Sequence, residues 1–442
     1  MKTNERPPIW TKNFLSISFV HFIVFVIFYT LLTTLPLYVI YDLGGSEAQG
    51  GLVVTAMFIT AILVRPISGK IVERIGKRKI LISLVIVFAV TTFGYIWIEG
   101  FAALLILRLI HGVSFGVLTT ATSAIAADVV PDERRGEGLG YFTMSMNLAV
   151  VAGPFLGLTL IQFVSFQYLF VILSITMLVG VVCAWIVKTK ETYQPAVTPV
   201  QRKMTIHDFL ELSALPIALM SSLVAFAYSG VISFISVYAT ELGLEQVSSY
   251  FFLVFAITML VTRPYLGRLF DERGPKIVIL PCLIIFASGL LTLSIADSAV
   301  LFLVSAGLIG VGYGTLLPCL LSMSVQSSAG HRNSYATATF FMMFDSGIAL
   351  GSYFLGIFAS FTGFSSLFLY SAVFVLILTI SFYIVFNKIA ACPGRNGKNK
   401  KLGRQVNKPS LFLVQNCAVS VDPFIAVVDD VPPEITWDTS SK

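Results

Sequence analysis

The apolar residues of this chain come in long blocks, with no alternation of period two and no narrow amphipathic stripe. A run from Phe14 to Tyr41 is followed by eleven more, at approximately 47–69, 79–98, 102–127, 138–162, 166–187, 210–239, 247–267, 276–296, 299–325, 334–360 and 365–387. Each reaches the roughly 20 residues that carry a helix across the hydrocarbon core of a bilayer. Backbone groups in lipid have no water to bond, so each run is predicted to satisfy its own as a helix. The expected fold is therefore an all-α membrane protein of twelve transmembrane helices. The first run follows Lys2, Arg6 and Lys12 but is too long for a signal peptide's apolar region and lacks a small-residue cleavage site, so it is read as an uncleaved first span.

The polar connections test this count. With a cytoplasmic N-terminus, Lys and Arg should crowd the N-terminal segment, the even-to-odd loops and the C-terminal segment. All of them do except Arg65, Arg108 and Arg263, which fall inside runs. The opposite loops carry Asp42, Glu47, Glu99, Glu241, Glu245 and Asp297 instead. A span missed or invented would scramble that segregation, so both termini are expected in the cytoplasm.

Composition narrows the function. Among 442 residues, 56% are hydrophobic and 12% charged, and the mean hydropathy is +0.88, which excludes an ordinary soluble chain and leaves no room for a large catalytic domain. The net charge of +6 is scattered over short loops, so no nucleic-acid partner is expected. The five cysteines Cys183, Cys282, Cys319, Cys392 and Cys417 show no paired spacing, so neither a disulfide framework nor a metal site is predicted, and no cofactor is expected. No phosphate-cradling loop, zinc-protease motif or nucleophile elbow occurs, so the chain is not read as an enzyme or as driven by ATP.

Displaced by 198 residues, the chain matches itself. Arg65-Pro66, Gly69-Lys70, Glu73 and Gly76 meet Arg263-Pro264, Gly267-Arg268, Asp271 and Gly274. At the same offset Gly112 and Gly116 meet Gly310 and Gly314, Arg134 meets Arg332, Asn147 meets Asp345, and Gly153 meets Gly351. An even number of spans separates the copies, so both halves have the same polarity and are expected to be related by a pseudo-two-fold axis along the membrane normal. The expected organisation is an N-terminal six-helix bundle (1–187), a cytoplasmic linker (188–206) with Pro195 and Pro199, a C-terminal six-helix bundle (207–387), and a disordered cytoplasmic tail (388–442). Two bundles around one axis suit a solute site near the midplane, exposed alternately to either side by rocking.

The connection between the second and third runs, Gly69 to Lys79 with Glu73, Arg74, Gly76 and Arg78, resembles the cytoplasmic signature of the major facilitator superfamily. The second copy keeps Gly267, Asp271 and Gly274 but has Glu272 where Arg74 stands. The resemblance covers about Phe14 to Asn387 and implies a secondary transporter in which this motif belongs to the conformational gate. Asp128 is similar to an acid that in related antiporters latches to the motif's arginine, so a pair with Arg74 is expected. Arg108-Leu109-Ile110-His111-Gly112 is similar to the family's R-x-x-Q-G motif, with His111 in place of Gln. An arginine in hydrocarbon costs about 2.5–3.5 kcal/mol on insertion scales, so Arg108 must face the interior, with His111 on the same helix face, and is a candidate for proton coupling or substrate contact together with Asp345. Gly153-Pro154-Phe155-Leu156-Gly157 resembles the kinked-helix motif of drug:proton antiporters, although Leu158 stands where a second glycine is usual.

Three residues outside those motifs, and His111 within one, are further candidates. Asp345, about ten residues into the eleventh run, is a carboxylate at membrane depth and a proton or substrate site. Asn147 at the matching repeat position would present a polar group to the same cavity, and His21 in the first run is a weaker candidate for proton coupling. His111 could titrate or simply keep the hydrogen bonding of the usual Gln. Arg65 and Arg263, each preceding a proline, are read as snorkelling to the cytoplasmic interface. Some of Phe25, Tyr29, Tyr228, Phe234 and Tyr238 could line an apolar cavity.

These readings converge on an alternating-access transporter in a bacterial plasma membrane, expected to be a monomer that exchanges protons for small amphipathic compounds or drugs. The alternative within the class is a transporter of one defined metabolite such as a sugar, peptide or metal chelator. From another class, a membrane receptor signalling through residues 390–442 would lose its activity on deletion of that tail, whereas a transporter would keep it.

Overall fold

The computed structural model describes residues 7–131, 134–189, 210–328 and 333–390. From residue 190 the expected linker, and from residue 391 the expected tail, lie outside the described residues. Among those described are eleven α-helices and no strand: α1 (Lys12–Leu37), α2 (Glu47–Ile75), α3 (Lys77–Gly94), α4 (Phe101–Val129), α5 (Arg135–Leu160), α6 (Phe166–Ile186), α7 (Leu215–Glu241), α8 (Glu245–Arg273), α9 (Pro275–Ser294), α10 (Ala299–Gln326) and α11 (Asn333–Ala390). Each is long and apolar enough to cross a membrane. The eleventh and twelfth expected spans form the single 58-residue run α11, interrupted at Gly363 (φ 78°, ψ 166°). Both pieces exceed the roughly 20 residues of one crossing, so the expected break is present as one left-handed residue that only glycine adopts without strain.

Local signals set the helix ends. Thr11 Oγ1 accepts the amide of Phe14 at the start of α1, and Ser46 and Gln49 form a reciprocal capping box at the start of α2. Gly76 (φ 96°) separates α2 from α3, and Gly274 (φ 87°) separates α8 from α9 at the same repeat position. Each donates its amide back to the preceding helix, to Val72 and Phe270 respectively. The helices run past the apolar windows: α2 continues to Ile75 and α8 to Arg273. Gly69 and Gly267 are therefore helical, not part of the connection where the sequence placed Gly69, because lysine, glutamate and arginine extend a helix readily beyond its lipid-facing stretch. For the same reason Arg65 and Arg263 lie ten residues inside their helices, about 15 Å from the ends, where the sequence placed them at the interface.

Successive helices are antiparallel, and two faces can be distinguished: a near face, from which α1 starts, and a far face, where Gly363 sits. Near-face contacts include Asn13 Nδ2 donating to the carbonyl of Lys188 and Arg134 donating to that of Pro7. At the far face Tyr38 donates to Ile98, and Tyr238 to Leu293.

Small residues make the helix seams, and the seams repeat. A Cβ on Gly112 would sit 2.2 Å from the Met57 carbonyl oxygen, and Gly116 packs on Ala61 and Val64, so α4 lies directly on α2. The repeat mates Gly310 and Gly314 pack on Phe255, Thr258 and Met259, holding α10 against α8. Gly153 and Gly157 of α5 lie against Val26, Tyr29 and Thr30 of α1, while Gly351 of α11 lies against Phe226 and Ser229 of α7. Helices in lipid have no hydrophobic drive between them, so close approach at small residues supplies the dispersion that holds them.

Gly112→Val and Gly310→Val should each force a seam apart, an overpacking cost of about 1–3 kcal/mol, and lower the melting temperature of the detergent-solubilised protein by several degrees. Gly69→Val, at a position with no atom within 4 Å of an added Cβ, should leave it unchanged.

Candidate functional site

Arg65 of α2 and Asp345 of α11 meet across the boundary between the first six helices and the remainder. Arg65 Nη2 lies 2.8 Å from Asp345 Oδ2, with the side chains 23% and 8% exposed. By helix rise the pair is about 15–18 Å from the near ends of both helices. The contact is electrostatic, without a well-aligned hydrogen bond: neither Asp345 Oδ2 nor Arg65 Nε has a hydrogen-bond partner. Charge attraction in a poorly solvated place is strong, and so is the penalty for leaving either partner alone.

Buried tyrosines stand on the neighbouring helices. Tyr29 of α1 lies within electrostatic range of both charges, and Tyr313 of α10 within range of Asp345 and Tyr29. Tyr313 stacks on Tyr228 of α7, ring centroids 3.6 Å apart and nearly parallel. The Tyr228 hydroxyl is buried without a hydrogen-bond partner. Five helices, α1, α2, α7, α10 and α11, thus bring one carboxylate, one guanidinium and three phenols together. Of the other proposed cavity aromatics, Phe234 and Tyr238 are fully packed toward the far face against Phe364, and Phe25 packs edge-on against Phe28 and Phe115 within the first six helices.

The remaining atom-level contacts across the same boundary cluster toward the far face. Ser236 of α7 donates to the Thr33 carbonyl (3.0 Å), and Thr55 of α2 donates to that of Ala349 (2.6 Å). Gln162, just past α5, donates to Glu245 at the start of α8 (3.1 Å). Gly51 abuts Ser352, and Gly356 abuts Glu47. Toward the near face, Gly69 and Gly267 have nothing within reach of an added Cβ. Among the described residues these contacts across the boundary lie toward the far face, and the ion pair is set deepest from it.

The other candidates occupy separate places. Arg108 is fully buried, with Nε donating to the Val53 carbonyl (3.2 Å) and both terminal nitrogens without partners. Val53 precedes Arg65 by twelve residues, about 18 Å along α2, so Arg108 and Asp345 are not brought together. His111 packs edge-on to Phe88 and shares a hydrogen bond between Nδ1 and the Tyr95 hydroxyl (3.0 Å), inside the first six helices. His21 bonds Thr122 Oγ1 through Nδ1 (2.9 Å) between Phe25 and Phe142. Asn147 is half-buried on α5, which packs on α1 and α8.

The gating motif is partly rearranged from expectation. Asp128 pairs with Lys77, not with Arg74, which points outward. Gly76 turns the chain sharply after Arg74, and Lys77, the first residue of α3, takes the position beside the near end of α4. Arg78 is exposed, and the side chains of Glu73 and Asp271 lie outside the described residues. Pro154 sits within α5 between Gly153 and Gly157, and the carbonyl of Gly153 accepts the Thr30 hydroxyl (2.9 Å), tying the proline site to α1.

Sequence reasoning missed Arg65. Its signal was present in the unusual placement of an arginine before a proline inside an apolar run, but snorkelling explained it without a partner. The carboxylate that holds it lies 280 positions later in the chain.

Comparison with known proteins agrees with this architecture. The family model described as Major Facilitator Superfamily matches residues 17–274 and again 246–425. The staphylopine export protein of Staphylococcus aureus is 23% identical over 358 residues, covering 78% of this chain and 89% of that protein. The quinolone resistance protein NorA of S. aureus is 27% identical over 146 residues, 33% of this chain and 37% of NorA. Among solved structures, a bacterial homologue of the human lysosomal transporter Spinster, inward-facing and occupied, superposes with a TM-score of 0.73 at 15% identity over 87% of this chain and 98% of that one. The nucleoside transporter NupG superposes with a TM-score of 0.69 at 15% identity over 85% and 99%. With family matches running through both copies of its internal repeat, the chain belongs to the Major Facilitator Superfamily and is a membrane transporter, not an enzyme.

Proposed function

We propose that this protein is a proton-coupled exporter of small amphipathic compounds, working by alternating access between two six-helix halves, residues 1–187 and 207–387. The observation that carries the proposal is the Arg65–Asp345 pair, a charge contact bridging the halves beneath the far-face contacts. A proton on Asp345 removes the charge that holds Arg65, so protonation and the freedom of the halves to rock are one event. Solute among Tyr29, Tyr228 and Tyr313 would weigh on the same equilibrium, because it sits between the same helices. Arg108, His111, His21 and Asn147 then act as packing and polar support around the moving parts, and the proton passes at Asp345.

The segregation of lysine and arginine supports a cytoplasmic near face, with both termini inside a bacterial plasma membrane. Loading from the near face and release at the far face is export. The kink at Gly153-Pro154-Gly157 against α1 supports that direction, as does the likeness to the staphylopine export protein. A second reading, export of one defined metabolite, is favoured by the staphylopine relative's match over 89% of its length against 37% for NorA. The Gly69–Lys79 motif gates the near face, with Lys77–Asp128 fixing α3 to α4.

In proteoliposomes with an imposed pH gradient, Asp345→Asn should abolish proton-driven movement of an exported dye while leaving slow, gradient-independent exchange; full gradient-driven transport in this variant would refute the coupling role. Removing one partner of a buried pair costs about 3–5 kcal/mol, and the more buried partner suffers more when abandoned. Arg65→Ala should therefore lower the melting temperature more than Asp345→Asn, and its loss should shrink as pH falls, because a proton neutralises the abandoned carboxylate. Asp128→Asn breaks a half-exposed pair worth about 0–1 kcal/mol, so it should slow transport with little change in melting temperature.

A further inference from the structure

The two copies of the repeat differ in what they do with the same arginine. Arg65 has Asp345, but Arg263, its mate on α8, has Asn147 at the position matching Asp345. Among the described residues Arg263 makes no ion pair or hydrogen bond, and it is half-buried. It lines a cavity of about 190 Å³ with Phe270 of the same helix and Thr315, Pro318, Cys319 and Ser322 of α10.

The equivalent place in the first half is filled. Phe270, Thr315 and Cys319 correspond to Val72, Val117 and Ala121, which form a packed apolar cluster with Ile80. Ser322 corresponds to Ala124. Along one face of α10, three apolar positions of the first copy have become a hydroxyl, a thiol and a second hydroxyl, and the space between helices has opened beside an uncompensated guanidinium. Above it, the Gly310 and Gly314 seam keeps α8 and α10 in contact, so the opening is local. A cation at this depth is costly without a counter-charge, and among the described residues no carboxylate pairs with it.

We propose that the Arg263 cavity binds the oxyanion group, such as a carboxylate, sulfonate or phosphate, of a ligand whose remaining part lies outside it. The Arg263 guanidinium and the hydroxyl of Ser322, which accepts from Gln326 and keeps its own proton, suit an oxyanion, whereas the Thr315 hydroxyl already donates to the Val311 carbonyl (2.9 Å); Phe270 and Pro318 suit the carbon next to the oxyanion, and the volume is below the roughly 300–1,000 Å³ of a site that encloses a whole drug-sized molecule. This rests on the transporter reading and refines it: compounds bearing an anionic group are favoured over purely cationic ones. A lipid headgroup has the same chemistry as such a solute.

The test is equilibrium binding of 2-naphthoate to the full-length protein in phosphatidylcholine nanodiscs, read by calorimetry and so independent of whether transport or proton coupling occurs. Wild-type protein should bind 2-naphthoate and not 2-naphthylmethylammonium. Arg263→Gln should weaken binding by about tenfold or more, the loss of a charge-assisted contact, and Arg263→Lys should recover much of it. Thr315→Val combined with Ser322→Ala, which restores the first copy's residues, should also weaken it. Naphthoate should protect Cys319 from maleimide in wild-type protein and in Arg263→Lys. Replacing phosphatidylcholine with phosphatidylglycerol distinguishes the sources: unchanged affinity upholds the site as one for solute, and a marked loss upholds it as one for lipid headgroups. Absence of naphthoate binding, equal binding of the cation, or unchanged affinity in a folded Arg263→Gln protein overturns the proposal.

Discussion

One ion pair organises this molecule. Arg65 and Asp345 stand on helices from opposite halves, largely withdrawn from water, beneath the far-face contacts. Neither charge can be abandoned cheaply there, and neither is held by hydrogen bonds that would survive loss of the other. Toward the far face from the pair, Ser236, Thr55 and Gln162 bind backbone carbonyls across the boundary, and the pair is the charged contact set deepest from that face. A proton is the smallest change that alters this contact without moving any heavy atom.

The surrounding scaffold lets such a small change matter. Glycine seams hold α4 on α2 and α10 on α8 so closely that each pair behaves as a unit. Packed units of this kind move as bodies because they cannot deform continuously. The seams repeat in both halves, and the copies differ at other positions. Asp345 against Asn147 is one such difference, and the apolar cluster at Val72, Val117 and Ala121 against the opening at Phe270, Thr315 and Cys319 is another.

Much of the fold was legible in the sequence because bilayer thickness and backbone hydrogen bonding leave few alternatives to long apolar helices. Gly76 and Gly274 announced their turns through the repeat, and the break between the last two spans falls at Gly363, inside the expected gap. The charged motif was less legible. Residues 70–75 read as a loop by polarity but lengthen α2, and the turn that follows puts Lys77 rather than Arg74 beside Asp128. Arg108 and His111 were singled out by family resemblance, yet their partners are Val53 and Tyr95 within the first half. Arg65 went unrecognised because its partner lies in the other repeat, and no local pattern encodes a contact that exists only once two halves meet.

The most direct test of the pair's role is the distance between the halves at each face, measured by double electron–electron resonance in protein freed of its five native cysteines. Spin labels at Ile75 and Arg273 report the near ends of α2 and α8, and labels at Trp97 and Ile295 report the far face. Asp345→Asn at neutral pH should reproduce the shift that acid causes in the unmutated protein, with near-face distances shortening and far-face distances lengthening, and acid should then have no further effect. Distance distributions that ignore the substitution, or that still respond to acid as before, would contradict a switch at Arg65 and Asp345.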